Sequence, residues 1–142
     1  MDLGRSDRAA AVCAEVDAVI EDEIAPIEDR HADALTNPAK KLDEDGRLKD
    51  ELVRAYRDVV RIAGEHDLLG LHLPEDAGGR GLSFVDLFHV RERVFEHGTG
   101  LTRYLTPIAA RGPTRLLLEL DDAKRRQYLD PLLAGEQTAC LG

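Results

Sequence analysis

Apolar side chains recur at three- and four-residue steps over much of the chain, and this spacing is typical of amphipathic α-helices. Three long segments follow it, at about 6–31, 48–67 and 83–98. A short polar side chain such as Ser6 suits the start of the first segment, because it accepts a hydrogen bond from a free backbone N–H. Pro26 lies inside that segment, so we expect the helix to bend or end there. In the third segment, the positions expected to be buried are Phe84, Leu87, Phe88, Val94 and Phe95.

Three shorter helices are predicted in the second half of the chain. Residues 99–111 repeat the apolar spacing, with a bend expected at Pro107. Pro113 suits the first turn of a fifth helix, and the dense leucines at 116–120 indicate that this helix is buried. A sixth helix is predicted at about 121–131, since the acidic residues at its start favour the positive end of a helix dipole.

The pattern as a whole predicts an all-α fold. No alternation typical of β-strands is sustained, so we expect a bundle of about six helices with short connections. A length of 142 residues suits one domain, spanning 1–142. Aromatic residues make up only 4% of the chain, so the core is expected to consist mostly of Leu, Val, Ile and Ala.

A glycine-rich segment at 70–82 interrupts the helical pattern. Its four glycines and one proline exclude a continuous helix and predict a structured loop. Ser83 and Asp86 follow directly and have the spacing of a capping box. The run at 78–81, Gly-Gly-Arg-Gly, is a candidate phosphate-binding loop, but phosphate-binding glycine motifs follow a strand. A turn between helices is therefore the favoured interpretation.

The charge and the cysteines restrict the classes of partner and compartment. A formal net charge of −9 argues against a nucleic-acid backbone or an anionic membrane surface as partner. No apolar run approaches the roughly 18 residues that a transmembrane helix requires. Cys13 and Cys140 lie near opposite ends and lack the spacing of a metal or redox motif, so we expect two reduced thiols in a cytoplasmic protein.

Residues with catalytic or metal-binding chemistry form no complete site in the sequence. Glu28 and His31 have the Glu-x-x-His spacing of di-iron bundles, but those sites need a second such pair, which the sequence lacks. The favoured interpretation is a polar helix face. The five histidines have no metal-ligand spacing with the cysteines. The residues alone therefore predict neither a catalytic residue nor a metal site.

Two segments of the chain resemble the acyl-CoA dehydrogenase family. Residues 68–83, LLGLHLPEDAGGRGLS, resemble its pattern GLLGLxxPExYGGxGLS. Residues 125–142, RRQYLDPLLAGEQTACLG, resemble KxxYLPxLAxGExxACxA. The two occur in the family's order, and the resemblance spans about 5–142. Ala77 departs from it, because the family commonly has a tyrosine there.

The resemblance implies one part of a larger flavoenzyme. Complete members have an N-terminal helical domain, a middle β-domain and a C-terminal helical domain, and they oxidise acyl-CoA thioesters with FAD. Their catalytic base is a glutamate of the C-terminal domain. Residues 1–142 would be the N-terminal domain alone, with the other two domains absent and no activity in isolation. The implied partners are the remaining domains or a partner subunit, the acyl-CoA substrate, and further copies in a homo- or hetero-oligomer.

The resemblance also implies a set of site residues. The positions that align with the wall of the acyl pocket are Thr102, Arg103, Thr106 and Ala110. Leu141 and Gly142 align beside the FAD. An arginine is unusual in an apolar pocket, so an inward-pointing Arg103 would indicate a polar or carboxylated acyl group. In the alternative interpretation, Ala110 and Leu141 are core residues, and the two threonines and Arg103 are surface residues.

Two other functions remain open at this point. One is a free-standing, non-enzymatic helical interaction module, which predicts a polar and self-contained surface. The other is the N-terminal domain of a related flavin oxidase or monooxygenase. The dehydrogenase interpretation instead predicts an exposed apolar patch. The apolar residues at 138–142 favour a chain that continues into a further element.

Overall fold

The computed structural model describes residues 4–98, 100–106 and 112–139, and within these ranges the chain is helical without a named strand. The α-helices are α1 (Asp7–Val19), α2 (Ala25–Arg30), α3 (Ala32–Thr36), α4 (Asp50–Glu65), α5 (Phe84–Glu96) and α6 (Asp122–Leu133). Shorter turns are the π-helical Ile20–Ile24 and the 3₁₀ segments Pro38–Lys40, Glu75–Ala77, Thr102–Tyr104 and Arg115–Glu119. The predicted all-α class is confirmed.

The first predicted segment is helical throughout, but it does not stop at its proline. The Ser6 hydroxyl caps α1 by accepting from the Ala9 N–H at 3.1 Å. A wide turn at Ile20–Ile24 then joins α1 to α2, and the Ala25 N–H bonds to the Ile20 carbonyl across it. Pro26 follows within the first residues of α2. Proline is tolerated in a first helical turn because its missing N–H is not needed there.

The hydrophobic core lies between α1, α4 and α5. From α4 the buried side chains include Leu52, Ala55 and Val59, at the three- and four-residue steps predicted for the segment 48–67. Helices α1 and α5 pack along each other, and Val16 and Val90 are fully buried in the core they share with α4. This packing makes a rigid base for the loops that follow α4 and α5.

The buried face of α5 differs from the prediction. Phe84 and Phe88 are 68% and 65% exposed, whereas Leu87, Val90 and Val94 are buried. Phe95 is also exposed. At 100° per residue, the three phenylalanines lie roughly 100° around the helix from the buried residues. The aliphatic row faces α1, so the phenylalanines form a separate stripe outside the core.

The predicted fourth and fifth helices are not α-helices in the described residues. Of the fourth, the described residues 100–106 contain the 3₁₀ turn Thr102–Tyr104, whereas Thr99 and residues 107–111 with Pro107 lie outside the described part. The fifth is the 3₁₀ turn Arg115–Glu119. It contains no buried residue and Leu116 is 67% exposed, so the prediction of a buried helix is wrong. A single 3₁₀ turn is too short to bury every leucine of a dense run.

The loop at 70–82 is structured, as its glycines predict. It folds back on itself, and the Gly81 N–H bonds to the Leu73 carbonyl at 2.7 Å. Gly79 permits this return, because a Cβ there would lie 2.1 Å from the Leu73 carbonyl oxygen. The Ser83 hydroxyl then caps α5 by accepting from the Asp86 N–H at 3.1 Å. The loop therefore fixes the direction in which the chain enters α5.

Candidate functional site

The segment after α5 is anchored to the end of α2 by a carboxylate. Glu28 Oε1 accepts hydrogen bonds from the backbone N–H groups of Leu101, at 2.5 Å, and Thr102, at 3.1 Å. These two groups begin the 3₁₀ turn Thr102–Tyr104, where backbone donors have no partner within the turn. Glu28 thus acts as an N-cap supplied by a distant part of the chain. It fixes the position of the whole segment 100–106.

Gly100 allows the carboxylate to approach this closely. A Cβ at this position would lie 2.4 Å from Glu28 Oε1. Such a separation is far shorter than any ordinary contact between these atoms. Any other residue would therefore displace the Glu28 side chain from the two N–H groups that it caps.

Two threonine side chains of the segment are buried. Thr102 is 1% exposed and Thr106 is 2% exposed, among the buried Leu101 and Leu105. The Thr102 hydroxyl donates to the Gly98 carbonyl at 3.2 Å. A buried hydroxyl without a hydrogen-bond partner destabilises a fold. The two threonines therefore place polar groups at defined positions within an otherwise apolar layer.

Arg103 extends along the ring of its neighbour. Its guanidinium carbon lies 5.0 Å from the centroid of the Tyr104 ring, and its Nη2 donates to the Tyr104 hydroxyl at 2.8 Å. Tyr104 in turn packs on Tyr56 of α4, with ring centroids 4.7 Å apart. Within the described residues, Arg103 Nε is buried and has no hydrogen-bond partner. The arginine is therefore partly desolvated at the edge of an aromatic pair.

A charged cluster holds α5 against α1 directly before this segment. Asp17 Oδ1 accepts from Arg93 Nε at 2.8 Å and from His97 Nε2 at 2.7 Å. Burial acts to raise the pKa of Asp17, but the hydrogen bonds from Arg93 and His97 outweigh it, and the pKa lies below its ordinary value. The cluster fixes the C-terminal end of α5 and hence the start of the segment 100–106.

On the other side of α1, charged contacts hold the glycine-rich loop. Arg80 Nη1 lies 2.8 Å from a Glu15 oxygen, and Arg8 Nη2 lies 2.6 Å from Glu75 Oε1. Asp86 accepts from the Ser6 hydroxyl at 2.6 Å, and this bond with the one from Ser83 lowers the pKa of the Asp86 carboxyl. The loop and the segment 100–106 are thus both positioned from α1 and its continuation.

The family model described as "Acyl-CoA dehydrogenase, N-terminal domain" matches residues 6–136. The chain belongs to this family. No curated protein and no solved structure matches the chain. None of the helices in the described ranges combines the length and the apolar character that a membrane-spanning helix requires.

As an acyl-CoA dehydrogenase N-terminal domain, the chain brings three of the predicted pocket residues together. Thr102, Arg103 and Thr106 lie in the one segment that Glu28 anchors. The alternative that made both threonines surface residues is wrong, because both are buried. Ala110 lies outside the described residues. The binding role of all four positions stays a prediction.

The residues predicted to face FAD are not among the described ones. Leu141 and Gly142 lie outside the described ranges, as does Cys140, while Cys13 is a buried, free thiol. The family is one of FAD-dependent enzymes. FAD binding by the complete enzyme stays a prediction for this chain, as does the reduced state of the Cys13 and Cys140 pair.

The anchoring residues were not recognised from the sequence. The sequence spacing predicts that Glu28 is part of a polar helix face together with His31, and it does not distinguish Gly100 from the other glycines. The two backbone N–H groups that Glu28 caps lie 73 and 74 positions further along the chain, so no local spacing reveals the contact. A local signal in the sequence is a glutamate near the predicted end of a helix. The structure adds that Glu28 lies in the last turn of α2 and is half-buried.

Proposed function

We propose that this chain acts as the N-terminal domain of an FAD-dependent acyl-CoA dehydrogenase and forms one wall of the acyl pocket. In such an enzyme the flavin, when bound, accepts the hydride removed from the acyl chain. The role of this chain is to hold the acyl group in position and to exclude water. We expect the domain to be inactive alone and to dock on the other domains along 99–111 and 139–142.

The observation that carries the proposal is the anchored segment 100–106. A family pocket wall needs a backbone that stays fixed while the acyl group is bound, and the Glu28 cap supplies it. The layer behind it is apolar, with Leu101 and Leu105 both fully buried. Burial of these leucines supports the segment from behind, because the transfer of their side chains out of water is favourable.

The two buried threonines give this wall a polar element. Their hydroxyls are small, and each donates or accepts a hydrogen bond without adding charge. A carbonyl or hydroxyl of the acyl group near Thr106 would find a partner there, whereas a plain methylene would not. Arg103 adds a guanidinium at the edge of the same segment, which supports a preference for a polar or carboxylated acyl group.

The test uses the protein as its native host produces it. We would tag the chain at its N-terminus in the host genome and purify it with every polypeptide that accompanies it. Intact mass, flavin absorbance and reduction of an artificial electron acceptor by a series of acyl-CoA thioesters are then recorded. Bound flavin and acyl-CoA-dependent reduction are expected. A chain without flavin or an accompanying flavoprotein would instead indicate a non-enzymatic helical module.

A substitution then connects this activity with the segment. Thr106→Val keeps the shape of the side chain and removes its hydroxyl, so we expect the KM for the preferred thioester to rise about 3- to 30-fold. Thr36→Val is the matched control, because Thr36 is exposed on α3. Unchanged kinetics for Thr106→Val in an active enzyme would remove Thr106 from the pocket wall.

A further inference from the structure

The exposed side of α5 carries an apolar stripe that lies outside the hydrophobic core of the described residues. Phe84, Phe88 and Phe95 are 68%, 65% and 43% exposed, and Arg91 lies between the last two. Together with Leu87 and Glu92 they line an open groove of about 520 Å³. Single exposed apolar residues are ordinary, but three phenylalanines in a row on one helix face mark an interaction surface.

The spacing of the stripe indicates a helical partner. The residues 84, 88, 91 and 95 are separated by steps of four, three and four, which is the seam along which two helices pack. A strand or an extended peptide would contact positions two apart instead. The helix is 13 residues long, so the seam is roughly 20 Å in length.

The same steps of four, three and four read identically in both directions. A second α5 can therefore lie antiparallel on the first, with the twofold axis between residues 89 and 90. In this arrangement the stripe of one copy lies on the stripe of the other. Phe84 of one copy then lies opposite Phe95 of the other, and Phe88 lies opposite Arg91. The aromatic ends pair with each other, and each guanidinium meets a ring face, a contact favourable by cation–π attraction.

The charges of the groove also complement themselves in this arrangement. Arg91 of one copy lies within about one helical turn of Glu92 of the other, since Glu92 is four residues from Phe88. Arginine over an aromatic ring is already present at this end of the molecule, where the Arg115 guanidinium lies 5.5 Å from the centroid of the Phe84 ring. A partner for this surface needs apolar side chains at helical spacing with one acid and one base beside them.

We infer that α5 is a self-association surface, on which a second copy of this chain docks antiparallel through Phe84, Phe88, Arg91 and Phe95. Covering the stripe buries roughly 300–500 Å² per copy, less than the about 800 Å² per partner of a stable complex. The dimer is thus a weak one, with a dissociation constant on the order of tens to hundreds of micromolar. This inference does not depend on the proposed function.

Sedimentation velocity of the full chain, from about 5 to 500 μM, tests the proposal. The sedimentation coefficient is expected to rise with concentration. Phe88→Lys places a lysine opposite Arg91 of the partner and is expected to weaken association by about tenfold or more. Tyr128→Lys is the matched control, because Tyr128 is an exposed aromatic of α6. It is expected to change the constant by less than about twofold.

Cysteine pairing tests the register. Chains with Phe84→Cys mixed with chains with Phe95→Cys are expected to form a disulfide-linked pair under mild oxidation. Each variant alone is expected to link far less, as is the unsubstituted chain with its own Cys13 and Cys140. Phe88 is exposed, so Phe88→Lys is expected to keep the helical circular dichroism, and Arg91→Glu is a second disrupting variant if it does not.

Two outcomes overturn the proposal. The first is an unsubstituted chain that stays monomeric over the whole concentration range, which would leave the stripe to another partner, such as the remaining domains of the dehydrogenase. The second is a dimer that Phe88→Lys and Arg91→Glu leave unchanged, which would place the interface on another face. Linkage that is equally efficient in the single and mixed cysteine samples would overturn the antiparallel register.

Discussion

One contact, between the Glu28 carboxylate and the backbone N–H groups of Leu101 and Thr102 beside Gly100, anchors the candidate pocket wall. The carboxylate replaces the missing partners of two N–H groups, and a Cβ at residue 100 would occupy its place. The two residues therefore act on the same interaction. Charge-assisted caps of this kind contribute more than a neutral hydrogen bond, on the order of 1–3 kcal/mol.

Because Glu28 and Gly100 act together, their substitutions are expected to be non-additive. Glu28→Ala removes the cap and is expected to destabilise the fold by about 1–3 kcal/mol. Gly100→Ala is expected to lower stability by a similar amount, since the flexible carboxylate can move aside but then loses its two N–H partners. In the double variant, the second substitution is expected to lower the stability little further, because the first has already removed the cap. Urea unfolding of the four chains measures this coupling.

The control for this cycle is Glu44→Ala, an exposed glutamate in the connection before α4. It is expected to shift stability by less than about 0.5 kcal/mol and to add to Gly100→Ala. If the effects of Glu28→Ala and Gly100→Ala simply add, the two residues act through different contacts, and the anchoring role of Glu28 is wrong.

At the scale of the helix, sequence spacing predicted where elements lie better than it predicted which face they bury. The capping residues Ser6 and Ser83 marked two helix starts correctly, because a cap is a local interaction. The spacing predicts that Phe84 and Phe88 lie in the core, because large apolar side chains are usually buried. The choice of the buried face depends on α1, which packs on Val90 and its neighbours, and spacing along α5 does not contain that information.

The pairing of α1 with α5 is expected to weaken in acid through Asp17. Its pKa is held below the ordinary value of 3.8, although burial opposes this, by hydrogen bonds from Arg93 and His97. A carboxyl whose pKa is lower in the folded chain stabilises the fold above its unfolded pKa. That stabilisation is lost as the pH falls through the folded pKa. The loss therefore occurs below about pH 4.

Asp17→Asn isolates this contribution. At pH 7 we expect the variant to be less stable than the unsubstituted chain by about 1–2 kcal/mol, because Arg93 and His97 lose their charged partner. Near pH 3 the difference is expected to shrink, since the native carboxyl is becoming protonated. Denaturant unfolding at several pH values measures it, with the exposed Asp58→Asn as control. A difference that is constant with pH would exclude an ionic role for Asp17.

For the whole molecule, the fold class and the family followed from two kinds of sequence information. Helical spacing predicted an all-α chain, and the loop at 70–82 with the segment at 125–142 indicated the family that matches 6–136. The candidate site was predicted only as a set of positions by resemblance. Its physical basis, the Glu28 cap and the buried Thr102 and Thr106, depends on contacts between distant segments. Local patterns do not determine such contacts.

The net charge of the whole chain adds a further prediction on self-association. Two copies that each carry −9 repel each other, while the stripe on α5 is apolar and nearly neutral. Salt shortens the Debye length from about 30 Å at 0.01 M to about 8 Å at 0.15 M, so it weakens the repulsion far more than the apolar contact. The dimer is therefore expected to become several-fold tighter over this range. Most charge-paired interfaces show the opposite sign.

Sedimentation velocity at low and moderate salt measures this dependence, and Phe88→Lys separates its two possible origins. The Phe88→Lys variant lacks the apolar contact. We therefore expect it to stay largely monomeric when salt is added, although the salt also screens the repulsion between the net charges. An unsubstituted dimer that weakens as salt is added would be held by attraction between opposite charges. The association would then depend mainly on ion pairs, such as Arg91 with Glu92 of the other copy, rather than on burial of the phenylalanine stripe of α5.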